Sequence, residues 1–224
     1  MDMNLTREQV LDLYTKMAGR YEPVFNSFFR YHSGLGAFYR KGGYLKSGLR
    51  VLDAGCGTGN NTKQLHMIAA EQGLHDIQYH ALDLTPAMMD IFKSWMKAND
   101  VNDVRLVEDD VTKLENIPAD WVDFDLIVST AMLEYLPKAE LRTALKNLNR
   151  LLHKNGTLTV FITRKNFLMK GLIELWWSGN QYTKQEISDA FRDAGFEIVF
   201  KNFPFPYSHL NLWGIGIEAK KRKT

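Results

Sequence analysis

Cysteine is almost absent from this chain: Cys56 is the one thiol in 224 residues. An intramolecular disulfide is therefore excluded, and so is a structural zinc site built from a cysteine cluster. Long apolar runs are missing as well. None approaches the ~20 residues of a membrane-spanning helix. The opening MDMNLTREQVLDLYTKMAGRYEP is charged and lacks the apolar core of a secretory signal, so a cytoplasmic protein is expected. Charge of either sign is not in excess. With 28 basic and 26 acidic side chains the formal net charge is +2, which argues against a strongly electrostatic nucleic-acid partner. The histidines, at 32, 66, 75, 80, 153 and 209, are scattered, and no metal site is expected. Internal repeats and low-complexity segments are also lacking. The closing KKRKT reads as a solvated basic tail.

What remains is ordinary for a globular protein. Apolar residues make up 45% and charged residues 24%, and the length suits one sizeable domain. Apolar positions at Leu5, Val10, Leu13, Tyr14 and Met17 predict a helix over 5–18, with Thr6 as its N-cap. An aromatic-rich stretch follows, RYEPVFNSFFRYHSGLGAFYRKGGYL. There Pro23 and the glycines at 34, 36, 42 and 43 are expected to interrupt any long helix.

From residue 50 the pattern is regular. Strands are predicted at RVLDAG, IQYHALDL, VRLVEDDV, FDLIVSTAM and GTLTVFITR. The helices between them are NTKQLHMIAAEQG, PAMMDIFKSWMKAND and residues 138–153. A helix over 183–194 and the strands EIVFKNF and LWGIGIEAKK complete the chain. Strand alternating with helix implies parallel βαβ units, and right-handed crossovers put helices on both faces of one doubly wound α/β sheet. Only PFPYSHLN separates the last two strands, short enough for an antiparallel pair.

The densest signal is VLDAGCGTGNNT. In a doubly wound sheet, ligands bind outside the C-terminal strand ends, where this glycine turn opens a helix. Gly55, Gly57 and Gly59 allow a sharp turn and close approach of a ligand. The nicotinamide fingerprint Gly-x-Gly-x-x-Gly would need glycine at position 60, where Asn60 stands. Carbonyl oxygens beside Asp53 suit a ligand with a positively charged end. A tight turn with no ligand is the alternative. Asp83 ends the second strand, where a carboxylate accepts bonds from both hydroxyls of a ribose. Thr85, ahead of Pro86, is the better helix cap and frees Asp83 for this. Asp109 and Asp110 end the third strand, where a carboxylate accepts an adenine amino hydrogen and the Val111 N–H donates to a ring nitrogen. Ser129 and Thr130 end the fourth.

Together these pieces resemble the class I S-adenosylmethionine-dependent methyltransferases over residues 48–219. VLDAGCGTG looks like their first motif, LDLTPAMM like the ribose motif, with Asp83 and Leu84, and EDDV like the adenine motif, with Asp110 and Val111. FDLIVSTAMLEYLP, with Ser129, looks like the fourth-strand motif. The resemblance implies a seven-stranded sheet of order 3-2-1-4-5-7-6 with strand 7 antiparallel. It also implies S-adenosyl-L-methionine as cofactor. Upstream, YTKMAGRYEPVFNSFF resembles the lead-in of small-molecule methyltransferases, including those of ubiquinone and menaquinone biosynthesis, and implies that Tyr21 covers the cofactor. The organisation expected is one domain over 1–224: a helical, aromatic lead-in or lid over 1–47, a Rossmann-like core over 48–219 and the tail over 220–224.

The function expected is in-line methyl transfer to a small apolar or aromatic acceptor. A protein or RNA methyltransferase and a non-catalytic cofactor-binding partner are the alternatives. A general base is needed only for a protonated, weak nucleophile, and His32 and Glu134 are the candidates. Trp176 and Trp177, with the lead-in aromatics, are expected to line the acceptor pocket or else to form a satellite core.

Overall fold

The computed structural model describes residues 30–164, 180 and 182–222, together with residues 8, 9, 12, 15 and 16. The five last-named fall in the helix predicted over 5–18 and are helical. Helix α1 (Tyr31–Gly42) precedes β1 (Arg50–Ala54), α2 (Asn60–Gln72), β2 (Gln78–Asp83), α3 (Pro86–Ala98), β3 (Val104–Glu108) and β4 (Phe124–Thr130). A single 3-10 turn (Leu133–Tyr135) leads to α4 (Lys138–Leu151), β5 (Leu152–Thr163), α5 (Lys184–Asp193), β6 (Phe196–Lys201), α6 (Leu210–Trp213) and β7 (Gly214–Lys221).

The strands form one sheet in the order β3-β2-β1-β4-β5-β7-β6. Only β7 runs antiparallel to its neighbours, β5 and β6. This is the expected doubly wound α/β arrangement. Neighbouring strand residues point to opposite faces, and both faces are covered. Leu52, Ile127 and Leu158 meet Leu145 and Leu148 of α4 and Phe191 of α5. Val51, Leu126 and Val128 meet Leu35 and Tyr39 of α1 and Leu65 of α2. A sheet buried on both sides needs continuous apolar runs rather than alternation, hence strands such as RVLDA and FDLIVST.

Local signals set several boundaries. Gly73 closes α2 in the left-handed region, at φ 64°, where a β-carbon would be strained. Pro86 occupies the first turn of α3. Thr183 caps α5 in a reciprocal pair with Glu186: Glu186 N–H donates to the Thr183 hydroxyl at 3.2 Å, and Thr183 N–H donates to Glu186 Oε2 at 2.7 Å. The helix predicted over 138–153 ends at Leu151, because buried Leu152 already pairs with Phe124 as the start of β5.

The lead-in departs from expectation. Gly34 and Gly36 do not break the helix; α1 runs straight through both. Their lack of a side chain serves packing instead. A Cβ at Gly34 would lie 2.2 Å from Leu210 Cδ1, and one at Gly36 would lie 2.4 Å from Gln64 Oε1. The helix ends where glycine does matter for conformation, at Gly43, with φ 62°. The aromatic residues of α1 belong to a core: Phe38 packs on Phe203 and Tyr31 on Phe161, with ring centroids 5.3 and 5.4 Å apart.

Glycine to alanine inside a helix ordinarily stabilises by roughly 1 kcal/mol. At Gly34 the sign should reverse. Gly34→Ala is expected to lower the unfolding free energy in urea by about 1–3 kcal/mol, because the new methyl overpacks against buried Leu210. A more stable variant would show that the close approach is not required.

Candidate functional site

One open cavity, with about 1140 Å³ of empty space including its mouth, lies across the C-terminal ends of β3, β2, β1 and β4. Its lining changes along that order. Asp109, Asp110 and Val111 follow β3, and Leu82, Asp83, Leu84 and Thr85 end β2. Gly55 to Thr58 follow β1. Beyond β4 come Thr130, Ala131, Met132, Tyr135, Leu136 and Pro137, faced by Tyr31 and His32 at the start of α1.

The loop after β1 is held from below by Asp53. This residue is fully buried and is not part of the cavity wall, so its carboxylate does not face a ligand as the sequence suggested. It accepts hydrogen bonds from Asn61 Nδ2 at 3.0 Å, Thr62 N–H at 3.2 Å and Thr62 Oγ1 at 2.9 Å. The N-cap of α2 is Gly59, which has no side chain to bond the open N–H groups of the first turn. Asp53 supplies that cap from the preceding strand, and its negative charge suits a helix N-terminus. Burial pushes its carboxyl up to about 6, against the opposing pull of Asn61 and Thr62.

Asn61, not anticipated from sequence, is the hub of this cluster. It donates to Asp53 and, at 3.1 Å, to the Thr130 hydroxyl, and it accepts from the Tyr39 hydroxyl at 2.8 Å. It thereby joins α1, β1 and β4, and it also lines the cavity. Its place two residues past Gly59, facing back to Asp53 from the first helical turn, is the signal that points to it.

The three glycines have separate reasons. Gly57, at φ 52°, faces open space in the cavity wall. Gly59, at φ 85°, has Phe92 where a Cβ would go, 2.3 Å away, and does not line the cavity. A Cβ on Gly55 would lie 2.3 Å from Met132.

Asp83 is held rather than free. Its Oδ2 accepts Gly57 N–H at 2.7 Å and its Oδ1 accepts Thr85 N–H at 2.8 Å. Thr85 is the N-cap of α3 as expected, although its side chain makes no capping bond. Burial raises the Asp83 carboxyl, and the backbone donors at Gly57 and Thr85 oppose it. These bonds orient the Asp83 carboxylate in the cavity wall.

The two acids after β3 divide their work. Asp109 accepts four backbone N–H groups, from Asp110, Glu115, Asn116 and Ile117, at 2.7–3.2 Å. It ties down the following loop. Asp110 uses Oδ1 for both the Thr112 N–H and hydroxyl, at 2.8 and 2.6 Å, and stands in the wall beside buried Val111.

At the β4 end, Thr130 lines the cavity and Ser129 does not. The Ser129 hydroxyl is buried without a hydrogen-bond partner. Of the two candidate bases, His32 lines the cavity and Glu134 lies behind its wall. Glu134 is buried; Oε1 accepts from Thr163 Oγ1 at 2.8 Å and Oε2 has no partner. Its carbonyl accepts Asn180 N–H at 2.7 Å, and Asn180 Nδ2 donates to the Leu136 carbonyl at 2.8 Å. These bonds stitch the turn carrying Met132 to Pro137 to the end of β5 and to Asn180. Tyr21, Trp176 and Trp177 lie outside the described residues. Among the described residues no group of acids, histidines and cysteine is arranged to hold a metal ion.

Residues 51–156 match a family model described as a methyltransferase domain. No curated protein matches the chain in sequence. Among solved structures, the chain is similar to an S-adenosylmethionine-dependent methyltransferase from Clostridium acetobutylicum, at TM-score 0.69 and 13% identity, with 92% of this chain and 99% of that one covered. It is similar to magnesium protoporphyrin IX methyltransferase from Synechocystis, solved with bound SAH, at TM-score 0.69 and 18% identity over 97% of this chain and 100% of that one. The pyocyanin biosynthetic protein PhzM matches at TM-score 0.71 and 17% identity over 95% of this chain and 62% of that one. At such identities the likeness is one of fold.

Glu134 makes stability depend on pH. Burial pushes its carboxyl up to about 7, with Thr163 opposing. Between the ordinary carboxylate range and that value the folded chain keeps a proton that the unfolded chain has released. The associated stability is full below the ordinary range and lost as pH rises through about 7. Glu134→Gln should therefore flatten the fall in unfolding free energy between about pH 5 and pH 8 by about 2–3 kcal/mol. Denaturant titrations with the wild-type slope in that variant would refute the assignment.

Proposed function

We propose that this chain, which belongs to the class I S-adenosylmethionine-dependent methyltransferases, transfers the methyl group to a small apolar or aromatic acceptor seated at the β4 end of its cavity. The observation that carries this reading is the change in lining across the sheet. The acids lie after β3 and β2, the bare backbone of Gly57 after β1, and an apolar wall of Met132, Tyr135, Leu136 and Pro137 after β4. Pockets for small molecules are mostly apolar with a few placed polar groups, and this end fits that description.

The cofactor fits the other end. S-adenosylmethionine supplies, when bound, a methyl group already activated on a sulfonium. In our reading Asp110 accepts from the adenine amino group, and Val111 packs against the ring and donates its N–H. Asp83, held by Gly57 and Thr85, accepts from the ribose hydroxyls, with Leu84 beside it. Gly55 and Gly57 admit the methionine end, since a side chain at Gly57 would project into the cavity from strained backbone. Asp53 keeps the loop in place from beneath and Asn61 from the cavity wall, and Gly59 and Ser129 act through packing.

Methyl transfer of this kind depends mainly on holding nucleophile and methyl in line. The acceptor wall, clamped through Glu134 and Asn180, does the holding. His32, a histidine lining the cavity, is our candidate general base for a protonated nucleophile. Glu134 is a positioning residue. Tyr21 is proposed to cover the cofactor, and Trp176 and Trp177 to extend the acceptor pocket. The protein is proposed to act in the cytoplasm.

Two measurements test this. Asp83→Ala should weaken S-adenosylmethionine binding at least roughly tenfold in calorimetry, the loss expected from one or two hydrogen bonds to a charged group. Its circular dichroism should stay native. Wild-type affinity would overturn the ribose assignment. With cofactor labelled at the methyl group and a whole metabolite extract, label should appear in small apolar compounds and depend on acceptor. Label confined to protein or RNA would overturn the acceptor class.

A further inference from the structure

We infer that the β6–β7 connection, residues 202–213, is a docking surface for an anionic lipid bilayer. Phe205, at its tip, is 90% exposed, and Leu212 is 66% exposed. The first is flanked by Pro204 and by exposed Pro206. Exposed apolar side chains are informative when grouped rather than scattered singly, and here one firmly held loop presents both. Asn211 Oδ1 accepts Phe203 N–H at 2.8 Å, and its Nδ2 donates to the Ser208 carbonyl at 3.0 Å. Tyr207 N–H donates to the Pro204 carbonyl at 2.7 Å. Phe203 and Leu210 anchor the connection in the core beneath α1. Two apolar residues are therefore fixed inward and two are fixed outward.

Charge decides what they meet. Residues 202–213 contain no carboxylate, and neither does α1 beside them. Two exposed guanidinium groups flank the tip. Arg30 lies over the Tyr207 ring, 5.5 Å from its centroid, and Arg164 Nη1 donates to the Asn211 carbonyl at 3.3 Å. Apolar and aromatic tips between basic side chains match a bilayer with acidic headgroups, where insertion and phosphate attraction act together.

The surface has a definite relation to the cavity. Phe203 packs on Phe161 with centroids 4.8 Å apart, and Phe161 packs on Tyr31, which lines the cavity. The loop also leaves the sheet at the C-terminal end of β6, the same edge as the site. Docking there would turn the cavity edge toward the lipid. The inference goes beyond the acceptor reading and stands if that reading fails.

Sedimentation of the full chain with vesicles tests it. Phosphatidylcholine vesicles containing phosphatidylglycerol should carry the protein down, and vesicles of phosphatidylcholine alone should carry much less. Added salt should weaken the binding. Phe205→Ser with Leu212→Ser should bind at least roughly tenfold more weakly, while its S-adenosylmethionine affinity in calorimetry stays that of the wild type and reports an intact fold. No sedimentation with phosphatidylglycerol vesicles, or equal sedimentation of the double variant, would overturn the inference. So would capture of the loop by a protein partner with no lipid binding.

Discussion

The buried carboxylate of Asp53 is the constraint on which the site depends. A glycine-rich turn alone would leave α2 without a cap, since Gly59 has no side chain to offer. Placing an acid at the end of β1 satisfies the first helical turn from outside, through Thr62 and Asn61. The turn above is then open for a ligand while its ends are fixed. Burying a charge is costly unless it is hydrogen-bonded, and the three donors around Asp53 meet that condition. Asn61 extends the same cluster to Thr130 and Tyr39. The loop, the β4 end and α1 are therefore set relative to one another before any ligand arrives, which is the preorganisation that alignment of two reactants requires.

The order of strands turns this fixed floor into a graded site. Chain order is β1 to β4, but spatial order is β3-β2-β1-β4. The chain reverses direction across the sheet beside β1, and the crevice forms there. Acids from two strand ends fall on one side of the glycine turn and apolar residues on the other. One end is thus polar and the other apolar, the contrast on which the proposed reading rests. Acids beside this crevice also work on the protein itself. Asp109 organises a loop so that Asp110 stands in the wall, and Glu134 fastens the wall after β4 from behind.

Much of this was legible in the chain. Apolar runs and their spacing placed the strands and helices of the core, and the short final connection implied the antiparallel pair. Gly55, Gly57, Asp83, Asp110 and Val111 all line the cavity. The misreadings share a cause. Gly34 and Gly36 looked like helix breakers because propensity is local, whereas Leu210 and Gln64, which come close to them, are distant in sequence. Asp53 and Ser129 looked like ligand groups because they sit in the right motifs. Near a strand end, however, one residue decides which way a side chain points, and Thr130 rather than Ser129 reaches the cavity. Asn61 was passed over because two of its partners, Tyr39 and Thr130, are distant in sequence.

By itself the sequence determined the kind of sheet, the place of its ligand crevice and the chemical character of each strand end. These follow from periodicity and from residue type, which act over a few neighbours. Only the tertiary structure decided which acids face the cavity and which face the backbone, that the aromatic helix before β1 is core, and that the turn after β4 is clamped from β5 and Asn180. These outcomes depend on contacts between residues far apart in the chain, and burial and hydrogen-bond satisfaction are settled only when those residues meet.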